Sequence, residues 1–194
     1  MNALTNFLFL VSPAAIYALV VRLRAHLSGG EIATRLGIRL PSGKYLGAGA
    51  GLGLVGAVLS AVMVKSGNGF TDEGSPVHFL VGQPPSADLV WRAFLYAFVA
   101  TGFAEEILFR GLIAGVLFRR IERAWLANTI QGLIFTAPHF LILLLKPDAW
   151  RMLWVIFPFS LVLGWLRHRS KSVVPSALIH SLGNFGTAMA VMAW

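Results

Sequence analysis

Six long apolar segments dominate this chain, and the solvent that receives them decides what it can fold into. They cover residues 4–21, 46–64, 89–118, 124–145, 149–166 and 172–194. A helix rising about 1.5 Å per residue needs about 20 apolar residues to cross about 30 Å of hydrocarbon. Backbone polar groups cannot stay unpaired in lipid, and no segment shows the two-residue alternation of a membrane barrel, so the segments read as helices. Only 12% of the 194 residues are charged, about half the share of an ordinary soluble domain. The expected fold is all-α, a polytopic membrane helical bundle of about six transmembrane helices forming one integral membrane domain over 1–194. Pro138, Pro158 and Gly102 are expected to kink or break three of them. The run 89–118 would cover about 45 Å if straight, so it must tilt, break or leave the lipid. The first run has no basic n-region before it and holds its small residues internally, which reads as a retained span and not a cleaved signal.

Charge lies between these runs. Arg22, Arg24, Arg35, Arg39 and Lys44 follow the first span, Arg119, Arg120 and Arg123 the third, and Arg167, Arg169 and Lys171 the fifth, together 11 of the 16 basic residues. The alternate links hold Lys65 with Asp72 and Glu73, then Lys146, Asp148 and Arg151. The positive-inside rule places the three basic links in the cytoplasm and both termini outside, in what is expected to be a bacterial inner membrane. The formal charge of +8 therefore marks loops, and no basic face suited to nucleic acid remains. The absence of cysteine removes disulfides, thiolate metal sites and thiol nucleophiles. Residues 28–45 are too polar to span, and two readings stand: an interfacial helix before a turn at Pro41-Ser42-Gly43, or a plain connector. Residues 66–88, rich in glycine and proline, read as a long external connector without regular structure.

Gly51, Gly53 and Gly56 spell a dinucleotide-binding GxGxxG, but no strand precedes them and the surroundings are apolar. Gly49, Gly53 and Ala57, spaced four apart, instead predict close approach of another helix; Gly47, Gly51 and Val55 repeat the spacing more weakly.

Six polar groups sit inside spans: Glu105, Glu106 and Arg110 in the third, His139 in the fourth, and His180 with Asn184 in the sixth. A charge at mid-span costs about 2.5–3.5 kcal/mol even on the mildest scale, so each must pair, meet water or act. Counted from the cytoplasmic ends, Glu105 lies about 20 Å deep, His139 about 22 Å, His180 about 12 Å and Asn184 about 18 Å. Three separate spans thus deliver acid, imidazole and amide to one band. The i, i+4 spacing places Arg110 beside Glu106 and Asn184 beside His180, while Glu105 points about 100° from its neighbour. That set suits hydrolysis of an amide: Glu105 as general base, His139 positioning the water with it, Arg110 holding Glu106, and His180 plus Asn184 clamping the oxyanion. Glu105 and His139 are expected to share one water. No HExxH occurs, and Arg110 beside the acids disfavours a divalent cation, so no metal and no cofactor is expected. A non-enzymatic immunity or scaffold protein using the cluster for helix pairing, and a proton-coupled transporter, are the competing readings.

Glu105-Glu106-Ile-Leu-Phe-Arg110, Phe135-Thr-Ala-Pro-His139 and His180-Ser-Leu-Gly-Asn184 match, in order, EExxxR, FxxxH and HxxxN. In these motifs the chain resembles the CPBP family, the CAAX prenyl protease type II and bacteriocin-processing (Abi) group of intramembrane glutamic proteases. The likeness covers 89–194, the expected catalytic core region. It implies a helical membrane peptidase in which Glu105 and His139 activate water, His180 and Asn184 stabilise the oxyanion, and Glu106 and Arg110 support them. The implied substrate is a membrane-associated or C-terminally tagged protein or peptide.

Overall fold

The computed structural model describes residues 3–67, 75–145 and 150–192, and of these the side chains outside 141–153. Asp72, Glu73, Lys146 and Asp148, which entered the charge reading, lie outside the described residues. Among the described residues the chain is all helix, with no strand. Helix α1 is Ala3–Ala25, α2 Gly29–Leu36 and α3 Gly43–Lys65. Residues 87–120 form α4, followed by α5 at Ala124–Leu145, α6 at Trp150–Ser170 and α7 at Val174–Val191. The all-helical bundle is as expected. Among the described residues, two helices, α1 and α3, are long and apolar enough to cross a membrane by themselves, with mean hydropathies of 2.0 and 1.9. Leu8, Phe9, Ile16 and Leu23 on α1, and Leu54, Val58 and Val62 on α3, are exposed, as side chains facing acyl chains are.

Residues 28–45 take the helical reading. Ser28 accepts from the Glu31 amide (3.3 Å) and the Glu31 carboxylate accepts from the Ser28 amide (2.8 Å), a capping box at the start of α2. The Ser28 hydroxyl and amide hold the Glu31 carboxyl below the usual carboxylate range. Gly37 ends the helix in the left-handed region at φ 69°, where a side chain would be strained. Ile32 and Leu36 then bury against Ala14 of α1.

The stripe Gly49, Gly53, Ala57 meets α7. A β-carbon at Gly53 would lie 2.6 Å from Leu182 Cδ1, and one at Gly49 2.8 Å from Pro175 Cα. On the other side, one at Gly186 would collide with the Ala57 backbone. The parallel stripe has no such role, since nothing lies within 4 Å of a β-carbon at Gly47 or Gly51. In the described part of the connector, where no regular structure is expected, a 3-10 turn at His78–Leu80 seats Val77 and Leu80 against Ala93, Ala188 and Val191.

Helix α4 does not break at Gly102. It runs unbroken but widens into π-helical hydrogen bonding over Leu95–Phe103 and again over Ile107–Ile113, on either side of the α-helical Ala104–Glu106. Close packing accounts for glycine there: a β-carbon at Gly102 would sit 2.6 Å from the Ala97 carbonyl and collide with the Ser181 hydroxyl. Side chains satisfy the loosened carbonyls. Thr101 Oγ1 donates to Tyr96 or Ala97 (3.0 and 3.3 Å), and Asn6 of α1 donates to Ala100 (2.6 Å). Pro138 and Pro158 likewise lie inside continuous helices.

Candidate active site

The two π-helical stretches matter because such turns, rare in helices at large, recur at functional sites. Here they enclose the adjacent glutamates. Glu106 is fully buried, and so is Arg110 one turn later, whose Nη1 donates to Glu106 Oε1 at 2.9 Å. The guanidinium carbon also stands 4.1 Å from the centroid of the Phe135 ring of α5, a cation–π contact in a site without bulk water. Arg110 Nη2 reaches the Ser160 carbonyl of α6 at 3.4 Å. An isolated buried ion would be costly; these contacts neutralise the pair, while Glu106 Oε2 and Arg110 Nε stay buried without a hydrogen-bond partner.

His180 of α7 joins the same carboxylate. Its Nδ1 lies 3.1 Å from Glu106 Oε1, and its Nε2 lies 4.0 Å from Glu105 Oε2. The imidazole therefore stands between the two glutamates, with the edges of Phe135 and Phe159 against it at centroid distances of 6.2 and 5.9 Å. Because an ionised Glu106 only accepts, Nδ1 carries the proton, and Nε2 is the atom turned towards Glu105. Glu105 differs from its neighbour in keeping 22% of its side-chain surface accessible. One acid is locked and the other is open.

His139 approaches from α5. Its ring packs on Phe135 at 5.3 Å, the ring that also contacts His180, and both Glu105 and His180 act on it electrostatically. Nδ1 lies 3.0 Å from the Phe135 carbonyl. A carbonyl cannot donate, so Nδ1 holds the hydrogen and Nε2 of the neutral ring is left as an acceptor. Asn184 sits one turn beyond His180, half-buried, and donates from Nδ2 to Thr101 Oγ1 at 2.8 Å. Arg110, His139 and His180 thus meet the Phe135 ring, Glu105 and Glu106 stand on either side of His180, and Asn184 is tethered to the first π-helical stretch.

Sequence reasoning missed the partners of these groups. Buried Gln131 donates from Nε2 to the Ser160 carbonyl, the same acceptor Arg110 uses, and to Asn128 Oδ1, both at 3.0 Å. Asn128 in turn donates to the Leu161 carbonyl at 2.9 Å. Ser181 is fully buried beside Gly102, and its hydroxyl has no partner. The amides at 128 and 131, inside an apolar run, carried a readable signal; the serines did not. Among the described residues, no group of three or more His, Cys, Asp or Glu has the arrangement of a metal site.

A family model described as Type II CAAX prenyl endopeptidase Rce1-like matches residues 87–186, which begin with α4 and take in every residue of this cluster. The chain belongs to the Rce1-like family. No curated protein and no solved structure matches it. Membership of the Rce1-like family supports a CAAX-type intramembrane protease in general, and a membrane-associated substrate with it. It also fits the part of the fold concerned, since the matched residues hold the buried Glu106–Arg110 pair and the two long apolar helices α1 and α3 precede them.

Proposed function

We propose that this protein is an intramembrane endopeptidase of the glutamic, CPBP type, cleaving a peptide bond of a membrane-associated or C-terminally tagged substrate. The carrying observation is the His180 ring between a locked glutamate and an open one, with Nδ1 3.1 Å from Glu106 and Nε2 4.0 Å from Glu105. Glu105 takes a proton from water held jointly with His139 Nε2. The hydroxide adds to the scissile carbonyl carbon, and the oxyanion receives hydrogen bonds from His180 Nε2–H and Asn184 Nδ2–H. For that, His180 must carry both ring protons, and the two adjacent carboxylates compensate its charge. The proton on Glu105 then passes to the amide nitrogen as the C–N bond breaks, returning Glu105 to its starting form. Arg110 and Glu106 hold His180 in place.

This reading keeps six spans, both termini outside and no metal, with the catalytic core in 89–194. Its orientation places the basic links on the cytoplasmic side of a bacterial inner membrane. Mass spectrometry of membrane proteins from cells carrying the wild type or Glu105→Gln identifies the substrate by its C-terminal fragment. In reconstituted vesicles, Glu105→Gln and His139→Ala abolish cleavage of that substrate while folded yield persists. Wild-type turnover by either variant overturns the assignment, and cellular activity retained by Glu105→Gln favours an immunity or scaffold role.

A further inference from the structure

Away from the glutamates, at the C-terminal end of α4, lies a second group of charges, in which Arg35 acts on the Glu31 carboxylate without pairing with it. Arg167, near the end of α6, is 5% exposed, yet its hydrogen bonds go only to backbone: Nε to the Arg110 carbonyl (3.1 Å) and Nη2 to the Arg35 carbonyl (3.3 Å). Arg119 of α4 donates to the same Arg35 carbonyl (3.0 Å) and to the Tyr17 hydroxyl of α1 (3.0 Å). The charged groups that act on Arg167 are Arg119 and Arg39, both of its own sign, and Arg35 acts on Arg119 in the same way. Among the described residues none of these four arginines has an ion pair with a carboxylate. Glu31, the acid closest to Arg35 along the chain, is turned back on Ser28.

The framework is built and not a loose surface. A β-carbon at Gly37 would lie 2.5 Å from Arg167 Nε, so the α2–α3 link lies directly on this guanidinium. The link is fixed further by Val173 N–H to the Gly37 carbonyl (3.0 Å) and by Ser172 Oγ to the Arg39 carbonyl (2.5 Å). The Arg119 and Arg167 guanidiniums are held by backbone bonds beside the like charges of Arg35 and Arg39, and a bound anion relieves the repulsion among the four. Beside them an apolar groove of about 290 Å³ opens between α1 and α2, lined by Ala14, Ala18, Ile32, Leu36 and Ile107. Tyr17, which anchors Arg119, adjoins Ala18 of this groove.

We infer that Arg35, Arg39, Arg119 and Arg167 form a binding site for the phosphate of an anionic phospholipid, with part of its acyl chain in the α1–α2 groove. Guanidinium suits phosphate through paired N–H donors, and basic pockets between helices on the cytoplasmic side are where such headgroups bind. A free phosphate shares the headgroup chemistry; the groove assigns the site to lipid.

The test uses the full chain in nanodiscs of phosphatidylcholine with increasing phosphatidylglycerol, read as the midpoint of thermal unfolding. Phosphatidylglycerol raises the midpoint, and the fraction needed for half the effect increases about tenfold in Arg119→Gln and in Arg39→Gln. Arg39 keeps the test sound if Arg119→Gln misfolds, because its guanidinium makes no hydrogen bond among the described residues. Arg24→Gln, which removes an equal charge at the exposed end of α1, leaves the response unchanged. An equal loss in all three variants means general surface attraction and overturns the site, as does no response to phosphatidylglycerol. Inorganic phosphate in pure phosphatidylcholine discs raising the midpoint as much, with sodium chloride of equal ionic strength inactive, overturns the lipid assignment in favour of free phosphate. Proteolysis is not read, so failure here leaves the endopeptidase reading standing.

Discussion

The α3–α7 contact and the junction of α4 with α5, α6 and α7 bury helices in opposite ways. The first removes side chains until backbones touch: Gly49, Gly53 and Ala57 admit Pro175, Leu182 and Gly186, with no ion pair between them. The second fills its interior with Glu106, Arg110, Gln131, Ser160 and His180, all at most 9% exposed. Lipid gives no hydrophobic drive for helix association, so the first contact depends on van der Waals fit. The second depends on every charge keeping its partner. Loss of fit should therefore be graded with volume, and loss of a partner abrupt.

The abrupt side gives the largest expected effect. Arg110→Met leaves Glu106 buried without its cation and destabilises the fold by about 3–5 kcal/mol, measured by unfolding in mixed micelles. Glu106→Leu combined with Arg110→Met recovers part of that loss, because the buried pair is removed together and the His180 Nδ1–H alone loses its acceptor. If the double variant is as unstable as the single, the junction is held by shape and the contrast fails. Next is Asn184→Ala. As an oxyanion donor it lowers kcat about 10²–10³-fold with KM little changed; a purely structural tether to Thr101 moves thermal stability and leaves kcat intact.

The graded side gives smaller effects. Gly53→Leu forces α3 from α7 and costs about 1–3 kcal/mol by overpacking. Gly51→Leu, with nothing within 4 Å, stays within about 0.5 kcal/mol of wild type. Equal costs would show that glycine is required by α3 itself and not by its partner. Smallest is the α2 cap, which belongs to neither region and calibrates both. Glu31 has a folded pKa lowered by Ser28, so its contribution is complete above the ordinary carboxylate range and fades as pH falls through the lowered value. Protection of the first α2 amides, taken relative to the intrinsic exchange rate at each pH, should fall there while that of the α3–α7 amides does not change.

The two regions also differ in what could be read beforehand. Small residues four apart announce a close helix contact, yet the same spacing at Gly47 and Gly51 announces one that does not occur among the described residues. Spacing gives the face and cannot say whether a partner fills it. Glu105, Glu106, Arg110, His139 and His180 stood out because charged and ring groups are costly in an apolar span. Their helpers were hidden because a hydroxyl in a helix is ordinary. Thr136 donates to the Gly132 carbonyl at 2.8 Å and Thr129 to Trp125 at 3.0 Å, each within its own helix. Thr101 does the same and also accepts from Asn184, a second role that depends on where α7 lies. His180 was legible as polar and not as a bridge, since its link to Glu106 joins residues 74 positions apart.

The widened turns of α4 carry one more implication. A π turn holds more residues than an α turn, so the aromatic row Trp91, Phe94 and Phe98, stacked at 5.4 and 4.6 Å, cannot be drawn on one wheel with Glu105 and Arg110. Removing a single residue from 95–103 would tighten the coil to ordinary pitch and swing that row about a quarter-turn or more around the axis, leaving the downstream acids where they are. The number of residues in that stretch thus sets where the aromatic row points, and because Thr101 within it holds Asn184, the same count also sets the reach of that amide.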